Sequence, residues 1–566
     1  MKKIVECVPN FSEGRDKQKI NDIVKYISSV SGVNILDVDS GEDTNRTVVT
    51  IIGEPEIIVE AAYQGIKYAS EILDMSQHTG THPRIGATDV CPFIPITNVS
   101  YDECIELSKQ LGERVGNELG IPIYLYEKSA QNDYRTKLPD IRKGEYEGLE
   151  NKLKDPRWKP DFGPTKFHKK AGATIIGCRE FLIAYNINLN TKDHRLATDI
   201  AFELREAGRS KRIPNPKSKN LLDGEIIRHQ NGKPVKVPGM FKDLKGIGWY
   251  VDEFNQAQIS INFNNYKVST IHEVFDAACK LAEDRGVRVT GSELVGLIPL
   301  EPLVMAGKYF LKKQNRSIGV PISDIVECAV QSLGLNDVTD FIPKEKIIDY
   351  AVEKDDRKLM SMSGKDFIEE LSKNSPAPGG GSVAALLGAL GAGLSSMVAA
   401  LTHEKKEMFD RKPEMDEIGV EAQILKDQLV ELVDEDTNAF NSVMNANRLP
   451  ANTENEQKQK VEAIKAANKY AIEVPMKTAE LCIKVLKLSD MLVKKGNPNS
   501  VSDAGVSAEV AFAGVSGAYM NVLINLTGID DNGYVKIKRK AIDDLLLEAK
   551  TLRKSVFIKT IKIIES

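Results

Sequence analysis

The stretch Arg46–Ile96 reads RTVVTIIGEPEIIVEAAYQGIKYASEILDMSQHTGTHPRIGATDVCPFIPI. Its opening, Arg46 to Ile52, is rich in Thr and Val and reads as a strand. Pro55 then opens a helix that runs to about Asp74, proline being tolerated in a first turn. Asp89 to Ile96 is a further strand, and the polar loop before it carries His78 and His82. Working outward, Ile4 to Val8 is a short apolar strand, and Lys17 to Val30 has helical spacing through Ile20, Ile23, Val24 and Ile27. Val33 to Val38 is a strand whose end delivers Asp37 and Asp39 to a Gly-containing turn. Tyr101 to Leu119 reads as a helix and Ile121 to Tyr126 as a strand. The order strand, helix, strand, strand, helix, strand is the split-βαβ, ferredoxin-like plan.

The same order returns downstream. Glu180–Leu189 reads as a strand, Asp193–Glu206 as a helix, Ile247–Asp252 and Gln256–Phe263 as strands, Thr270–Arg285 as a helix and Val287–Thr290 as the closing strand. A polar run, Gly208–Val237, interrupts this repeat and reads as a surface excursion. Glu301–Gln314 and Ile322–Leu333 read as helices closing the first module, and Asn336–Gly364 lacks a sustained apolar period, as a connector does. Beyond Asp366 every apolar period is helical. The expected fold is multidomain: two tandem α+β ferredoxin-like (split-βαβ) subdomains at 1–178 and 179–335, a linker at 336–364, and an all-α antiparallel helical bundle at 365–566.

Bulk properties narrow the function classes. Lys and Arg total 76 against 81 Asp and Glu, a formal net charge of -5, so no nucleic-acid partner is expected. The seven cysteines are scattered and never form a CxxC pair, which fits a reducing cytoplasm and neither a disulfide framework nor a zinc ribbon. The N-terminal MKKIVECVPNFSEG has no apolar core and does not read as a signal peptide. From Pro376 to Thr402 no residue carries a formal charge, but Ala, Gly and Ser dominate, as in a buried, closely packed helix. No membrane association is expected.

Three features draw attention as chemistry. In Ser76–Pro95 a titratable imidazole, His82, is held between Gly80, Pro83 and Gly86 with Arg84 and Asp89 near in sequence, which suits general acid–base work. His78 and His82 share the spacing of zinc-binding histidines on a helix, but Gly80 and Pro83 argue against a helix and no third ligand is near, so no metal is expected. A hydrogen-bonded structural histidine stays open as the alternative. In Asp161–Gly177, Gly163 and Gly172 bracket Lys166, His168, Lys169 and Lys170, a loop able to offer N–H and ammonium groups to an anion, or equally a solvated basic linker.

The third feature is a carboxylate in an apolar seam. Ile418, Ala422, Leu425, Leu429, Leu432, Asp436, Ala439 and Val443 recur at spacings of four and three, with Asp436 the polar intruder. A buried carboxyl there either is paired with a cation or has a raised pKa. SPAPGGGSVAALLGALGAGL has a Gly-rich turn before a helix but lacks the ending of a phosphate loop. The N–H groups of Gly379, Gly380 and Gly381 at that helix start are free to receive an anionic or polar ligand.

Several long motifs occur in order: VECVPNFSEGRD (Val5–Asp16), LDVDSGEDTNRTV (Leu36–Val48), THPRIGATDVCPFIP (Thr81–Pro95), DFGP with GAT (Asp161–Thr174), FLIAYNINL (Phe181–Leu189) and GIGWYVDE (Gly246–Glu253). They resemble glutamate formimidoyltransferases. APGGGSVAALLGALGAGLSSMV, LVDEDTNAF (Leu432–Phe440), RLP (Arg448–Pro450) and GAYMNVLINL (Gly517–Leu526) resemble formimidoyltetrahydrofolate cyclodeaminases, and the fused order resembles the bifunctional family. The resemblance implies formimidoyl transfer from N-formimidoyl-L-glutamate to N5 of tetrahydrofolate, with or without a polyglutamate tail. Cyclisation to 5,10-methenyltetrahydrofolate with loss of ammonia would follow. It implies His82 as the acid–base of transfer, with Asp39, Arg84 and His78 in support, and Gly163, Pro164, Thr165, Lys166, Phe167, His168, Lys169, Lys170, Ala171 and Gly172 as the folate-binding segment. Arg46, Arg84 and Arg179 are anion candidates. For cyclisation it implies Asp436, with Gly379, Gly380, Gly381, Asp503, Asn521 and Asn525 as further candidates. It also implies a cytoplasmic homo-oligomer. A transferase with an inert helical scaffold, a folate carrier without turnover and a formyl-donor enzyme remain alternatives.

Overall fold

The computed structural model describes residues 3–352 and 359–566. The chain forms two units, Met1–Met305 with Leu333–Glu353, and Ala306–Ser332 with Lys354–Ser566. The first holds mixed sheets with helices, the second is helical. The expected linker at 336–364 falls partly on residues 353–358, which lie outside the described residues.

The first unit begins β1 (Ile4–Cys7), β2 (Asn10–Phe11), α1 (Lys17–Ser28), β3 (Asn34–Gly41), β4 (Arg46–Gly53), α2 (Pro55–Ile72), β5 (Thr88–Thr97), α3 (Tyr101–Glu118), β6 (Ile123–Glu127), α4 (Leu138–Arg142), α5 (Glu145–Lys154) and β7 (Thr174–Cys178). β1 and β2 act as one strand interrupted at Val8–Pro9. They lie antiparallel between β4 and β5, with β3 outside β4. Local sequence sets these elements. Asp16 accepts from the Gln18 and Lys19 N–H groups to start α1, and Ser100 and Glu103 form a reciprocal capping box on α3. The helices bury Ile23, Ile27, Ile58, Ile66 and Leu111 against Val5, Cys7, Val49, Ile51 and Phe93. Strand alternation then places Glu6, Asp37, Asp39 and Arg46 on the opposite sheet face. One expectation fails here. Asp161–Gly177 is not all connector, because its last residues form β7, a buried strand parallel to both β5 and β6.

The second half of this unit runs β8 (Ile183–Leu189), α6 (His194–Leu204), β9 (Arg209–Ser210), β10 (Arg212–Ile213), β11 (Glu225–Ile226), β12 (Lys236–Val237), β13 (Leu244–Val251), β14 (Gln256–Phe263), α7 (Ile271–Asp284) and β15 (Val289–Val295). Its sheet is antiparallel in the order β13-β14-β8-β15. The Gly208–Val237 excursion is built from two short pairings, β10 with β11 and β9 with β12. Fully buried Asp199 anchors it: its carboxylate meets Arg209 and accepts from Arg285 Nε at 2.6 Å and from the Leu221 N–H at 3.1 Å. Glu203 joins both guanidiniums, at 2.9 Å to Arg209 and 2.5 Å to Arg285. Every buried charge in this group is therefore paired, as burial requires.

Next come α8 (Leu300–Lys313), α9 (Ile322–Leu333), α10 (Pro343–Lys346), α11 (Ile348–Val352) and α12 (Gly364–Leu371). The long helices follow: α13 (Gly380–Glu404), α14 (Lys412–Arg448), α15 (Glu454–Lys495), α16 (Val501–Leu526) and α17 (Asn532–Ile564). Residues 306–332, read from sequence as closing the first module, group by their contacts with the helical unit. There a Cβ on Gly319 would collide with Gly419 of α14, and Ser396 Oγ of α13 donates to Gly319 O at 3.0 Å. Glycine permits that backbone crossing.

Gly380–Glu404 and Pro498–Leu526 are long and apolar enough to cross a bilayer by length and composition. Here they face each other inside the helical unit: Gly391 lies against Ser507 O and Gly517 against Ala384. The expected α14 seam holds at Ile418, Ala422, Leu425, Leu429 and Ala439, while Val433 and Ala446 are buried in place of Leu432 and Val443, because 3.6 residues per turn drifts from a strict heptad. α15 keeps Pro475 inside one continuous helix that ends at Lys495.

Candidate active sites

The His82 loop joins α2 to β5 and is pinned from both sides. The Met75 N–H donates to Lys170 O at 2.9 Å, and Asn45 Nδ2 donates to Thr79 O at 2.8 Å. His78 Nε2–H donates to Asn45 O at 2.9 Å, so its Nδ1 is free to accept from Arg84 Nε at 3.2 Å. The Arg84 guanidinium is fully committed: it also binds Glu145 at 3.0 Å and Glu147 at 2.6 Å. Arg84 therefore holds the loop and is not open to a substrate anion, contrary to one sequence expectation. His78 is its rest.

His82 is half-buried. The Arg46 guanidinium, which has only N–H groups to offer, donates to its Nε2, so the ring proton lies on Nδ1, which is buried and reaches only the Pro83 carbonyl, without good hydrogen-bond geometry. Burial, then the fields of Arg46 and Arg142, push its pKa down to about 4. The imidazole is thus neutral near pH 7. Arg142, from α4, also pairs with buried Asp89, whose other oxygen accepts from the Ile85 N–H at 2.8 Å. Burial raises the Asp89 pKa against these partners. Asp39 is exposed and makes no hydrogen bond to His82; it acts on Arg46 through space.

The glycine-bracketed segment is brought beside this loop. Gly86 bridges Gly172, the Ala87 N–H donates to Ala171 O at 2.8 Å, and the Ala173 N–H donates to Ile85 O at 3.1 Å. Gly163 and Gly172 both have positive φ, +79° and +69°, where a side chain would be strained. Gly163, Pro164, Thr165 and Lys166 are exposed, as is Lys169, whereas the Lys170 ammonium meets Glu71 O at the end of α2. Phe167 stacks at 5.4 Å, tilted, on Tyr146, and His168 Nδ1 accepts from the Ala171 N–H at 2.9 Å.

In the helical unit Asp436 reaches the start of α13. Ser382 donates to its carboxylate through Oγ at 3.3 Å and through its N–H. The positive helix N-terminus favours the ionised form, but burial, the larger effect, raises the pKa. No described cation contributes to that balance, which removes the reading of Asp436 as half of a buried ion pair. A Cβ on Gly381 would overlap the carboxylate, so this glycine is dictated by close approach. Asp436 thus takes the Ser382 N–H at this helix start. Asn521 Nδ2 lies near Gly380 while donating to Gly517 O at 2.9 Å, and Asn525 Nδ2 donates to Ala471 O at 2.6 Å. Asp503 is not brought there, since it sits about 27 Å along α16 from Asn521 at 1.5 Å per residue.

Sequence reasoning missed Arg142, Tyr126 and Glu6 on the His82 side, and Glu435, whose carboxylate meets the Tyr470 hydroxyl, beside Asp436. Among the described residues no three His, Cys, Asp or Glu side chains converge as metal ligands do.

Two separate polar sites, one in a sheet-based unit and one in a helical unit, define a two-site enzyme. Family models match residues 4–179 (formiminotransferase domain, N-terminal subdomain), 184–353 (formiminotransferase domain) and 363–544 (formiminotransferase-cyclodeaminase). The formimidoyltransferase-cyclodeaminase of Dictyostelium discoideum is 42% identical, over 97% of each chain. The glutamate formimidoyltransferase of Streptococcus pyogenes serotype M1 is 40% identical over 56% of this chain and 95% of its own. The methenyltetrahydrofolate cyclohydrolase of Methylorubrum extorquens is 36% identical over 34% of this chain and 92% of its own. The class is therefore a fused transferase and cyclodeaminase acting on folate. The chain belongs to the formimidoyltransferase-cyclodeaminase family.

Proposed function

We propose that residues 1–335 transfer the formimidoyl group of N-formimidoyl-L-glutamate to N5 of tetrahydrofolate, and that residues 365–566 close the product to 5,10-methenyltetrahydrofolate with release of ammonia. The observation that carries this reading is the pair of proton-transfer groups that find no ion-pair partner of opposite charge among the described residues, His82 between two arginines and Asp436 at a helix start, in a chain matched over 97% of its length by the family. The strand orders support two ferredoxin-like units within the transferase.

In transfer, folate N5 attacks the amidine carbon and must lose a proton, while the departing glutamate nitrogen must gain one. A neutral imidazole takes the first and returns it to the second. A substrate carboxylate that binds Arg46 frees Nε2 and cancels one of the two fields that depress His82, so the ring holds a proton long enough to deliver it. Exposed Lys166 and Lys169 offer charge to the folate tail. In cyclisation, N10 attacks the formimidoyl carbon, the Asp436 carboxyl protonates the leaving nitrogen, and the N10 proton completes ammonia.

A second reading of the helical unit follows from its match to a cyclohydrolase: it would open methenyltetrahydrofolate to a formyl product with water. Supplying formimidoylglutamate and tetrahydrofolate separates the two. Cyclodeamination is expected to release one ammonia per methenyl chromophore formed. Decay of added methenyl chromophore without any ammonia supports the cyclohydrolase instead.

We also place the chain in the cytoplasm as a homo-oligomer. Seven free thiols fit a reducing compartment. Exposed apolar residues on the bundle, among them Leu390, Met520, Ile524, Ile537 and Leu547, fit self-association. Cell fractionation followed by sedimentation equilibrium is expected to recover it in the supernatant at a multiple of 62.5 kDa. A single-chain mass, or a membrane pellet, overturns this.

A further inference from the structure

The chemistry above leaves Glu6, a buried acid of the transferase unit, unused. Glu6 interrupts the apolar strand β1, and because Val5 and Cys7 enter the helix-covered core, Glu6 projects from the other face, the one bearing Arg46. It is 4% exposed, and its carboxyl accepts no hydrogen bond from the described residues. Arg179 acts on it only through space, and burial raises its pKa to about 7. Its oxygens are not among the fully buried unpartnered atoms, so water reaches them in the free protein, and a ligand that displaces this water must bring donors of its own.

Its surroundings link it to the charged groups that act on His82. Arg179 lies in the field of Glu6, Glu127 and Tyr126, and Tyr126 in turn lies in the field of both Arg179 and Arg142, the arginine that acts on His82. Glu127 also feels Lys245 of β13; Trp249, on the same face of that strand about 13 Å further along, is 44% exposed. Glu6 pairs with Ile94 in β5, and Asp89 lies five residues along that strand, so the two acids are about 17 Å apart at the backbone. A bicyclic ring, with side chains reaching it from both ends, bridges that spacing.

An acceptor pair beside a fixed donor has a specific complement. We propose that Glu6 and Arg179 bind the 2-amino-4-oxopyrimidine edge of the folate ring, the carboxyl accepting from the 2-amine and the ring N–H, the guanidinium donating to the 4-oxo group. This deepens, and rests on, the assignment of the transferase reaction to this unit. A formimidoylglutamate donor has carboxylates at its ends and would be repelled by Glu6, which favours the folate as occupant.

The test uses the full chain with Glu6→Gln, an isosteric change that turns one acceptor oxygen into a donor. The KM for tetrahydrofolate in transfer is expected to rise ten- to a hundredfold, with kcat and the KM for formimidoylglutamate within about twofold. A folate analogue with a methyl group in place of the 2-amine should be penalised by a similar factor in the wild type and not in Glu6→Gln. Glu6→Asp should recover part of the discrimination. A rise in the donor KM instead, or equal losses for both folates, overturns the proposal. So does a fall in kcat at constant KM. Equilibrium binding of tetrahydrofolate to His82→Ala with and without Glu6→Gln isolates this site from catalysis: Glu6→Gln weakens binding there if Glu6 reads the ring. Retention of transfer by His82→Ala removes the catalytic reading and leaves this measurement standing.

Discussion

Replacing His82 by Ala is expected to lower kcat for formimidoyl transfer by a hundred- to ten-thousandfold, the usual range for a positioned general acid–base. Ammonia release from added 5-formimidoyltetrahydrofolate should be unchanged. The pH dependence gives the sharper test. His82 lies between Arg46 and Arg142, and its burial and their charges lower its pKa from 6.5 to about 4. A lowered pKa means the neutral, base-competent ring persists to lower pH. The acid limb of kcat/KM for transfer should therefore fall well below pH 6.5, towards about 4, with activity lost as the ring gains its proton. Arg46→Met removes one of the two cations and should move that limb upward, towards the ordinary histidine value, while raising the KM for the carboxylate-bearing donor. An acid limb near 6.5 in the wild type that Arg46→Met leaves in place would show that the arginine field does not act on the working histidine.

How much of this was readable beforehand follows the range of each interaction. Apolar periodicity is local, so the βαββαβ orders of both halves and the run of long helices emerged from spacing alone. β7 did not, because three apolar residues after a glycine-rich loop look like the end of that loop until β5 and β6 are seen flanking them. Asp436 was legible because a carboxylate in an apolar seam is conspicuous. Glu6 carries the same signal, one acid within Ile4–Val8, on a strand too short for a single polar residue to stand out. Arg142 left no trace: it sits on a one-turn helix in a polar stretch and reaches Asp89 and the field of His82 across more than fifty residues of chain. Asp503 shows the converse error. It shares a helix with Asn521 and Asn525, yet the helix length sets it at the far end, so a shared element did not mean a shared site.

Asp436→Asn should stop cyclisation while sparing transfer, so that 5-formimidoyltetrahydrofolate accumulates and ammonia release falls a hundred- to ten-thousandfold. The amide keeps the volume of the carboxyl and an oxygen for Ser382, so the helical content and the α13–α14 contact should persist; what disappears is the transferable proton. The raised pKa sets the direction of the pH effect. Burial favours the protonated acid, which is the form that protonates the leaving nitrogen, so the rate of the chemical step should decline as pH rises through that raised value. Ser382→Ala removes a hydrogen bond that favours the ionised form, and should shift the decline to higher pH. Gly381→Ala tests the geometry independently, because its added Cβ would occupy the space of the Asp436 carboxylate. It should depress cyclisation at least tenfold by displacing that group rather than by altering its acidity, leaving the position of the pH limb closer to the wild type than in Ser382→Ala. Full cyclodeaminase activity in Gly381→Ala would mean that the carboxylate works from a position other than the start of α13, and equal ammonia release by Asp436→Asn and wild type would remove Asp436 from the reaction.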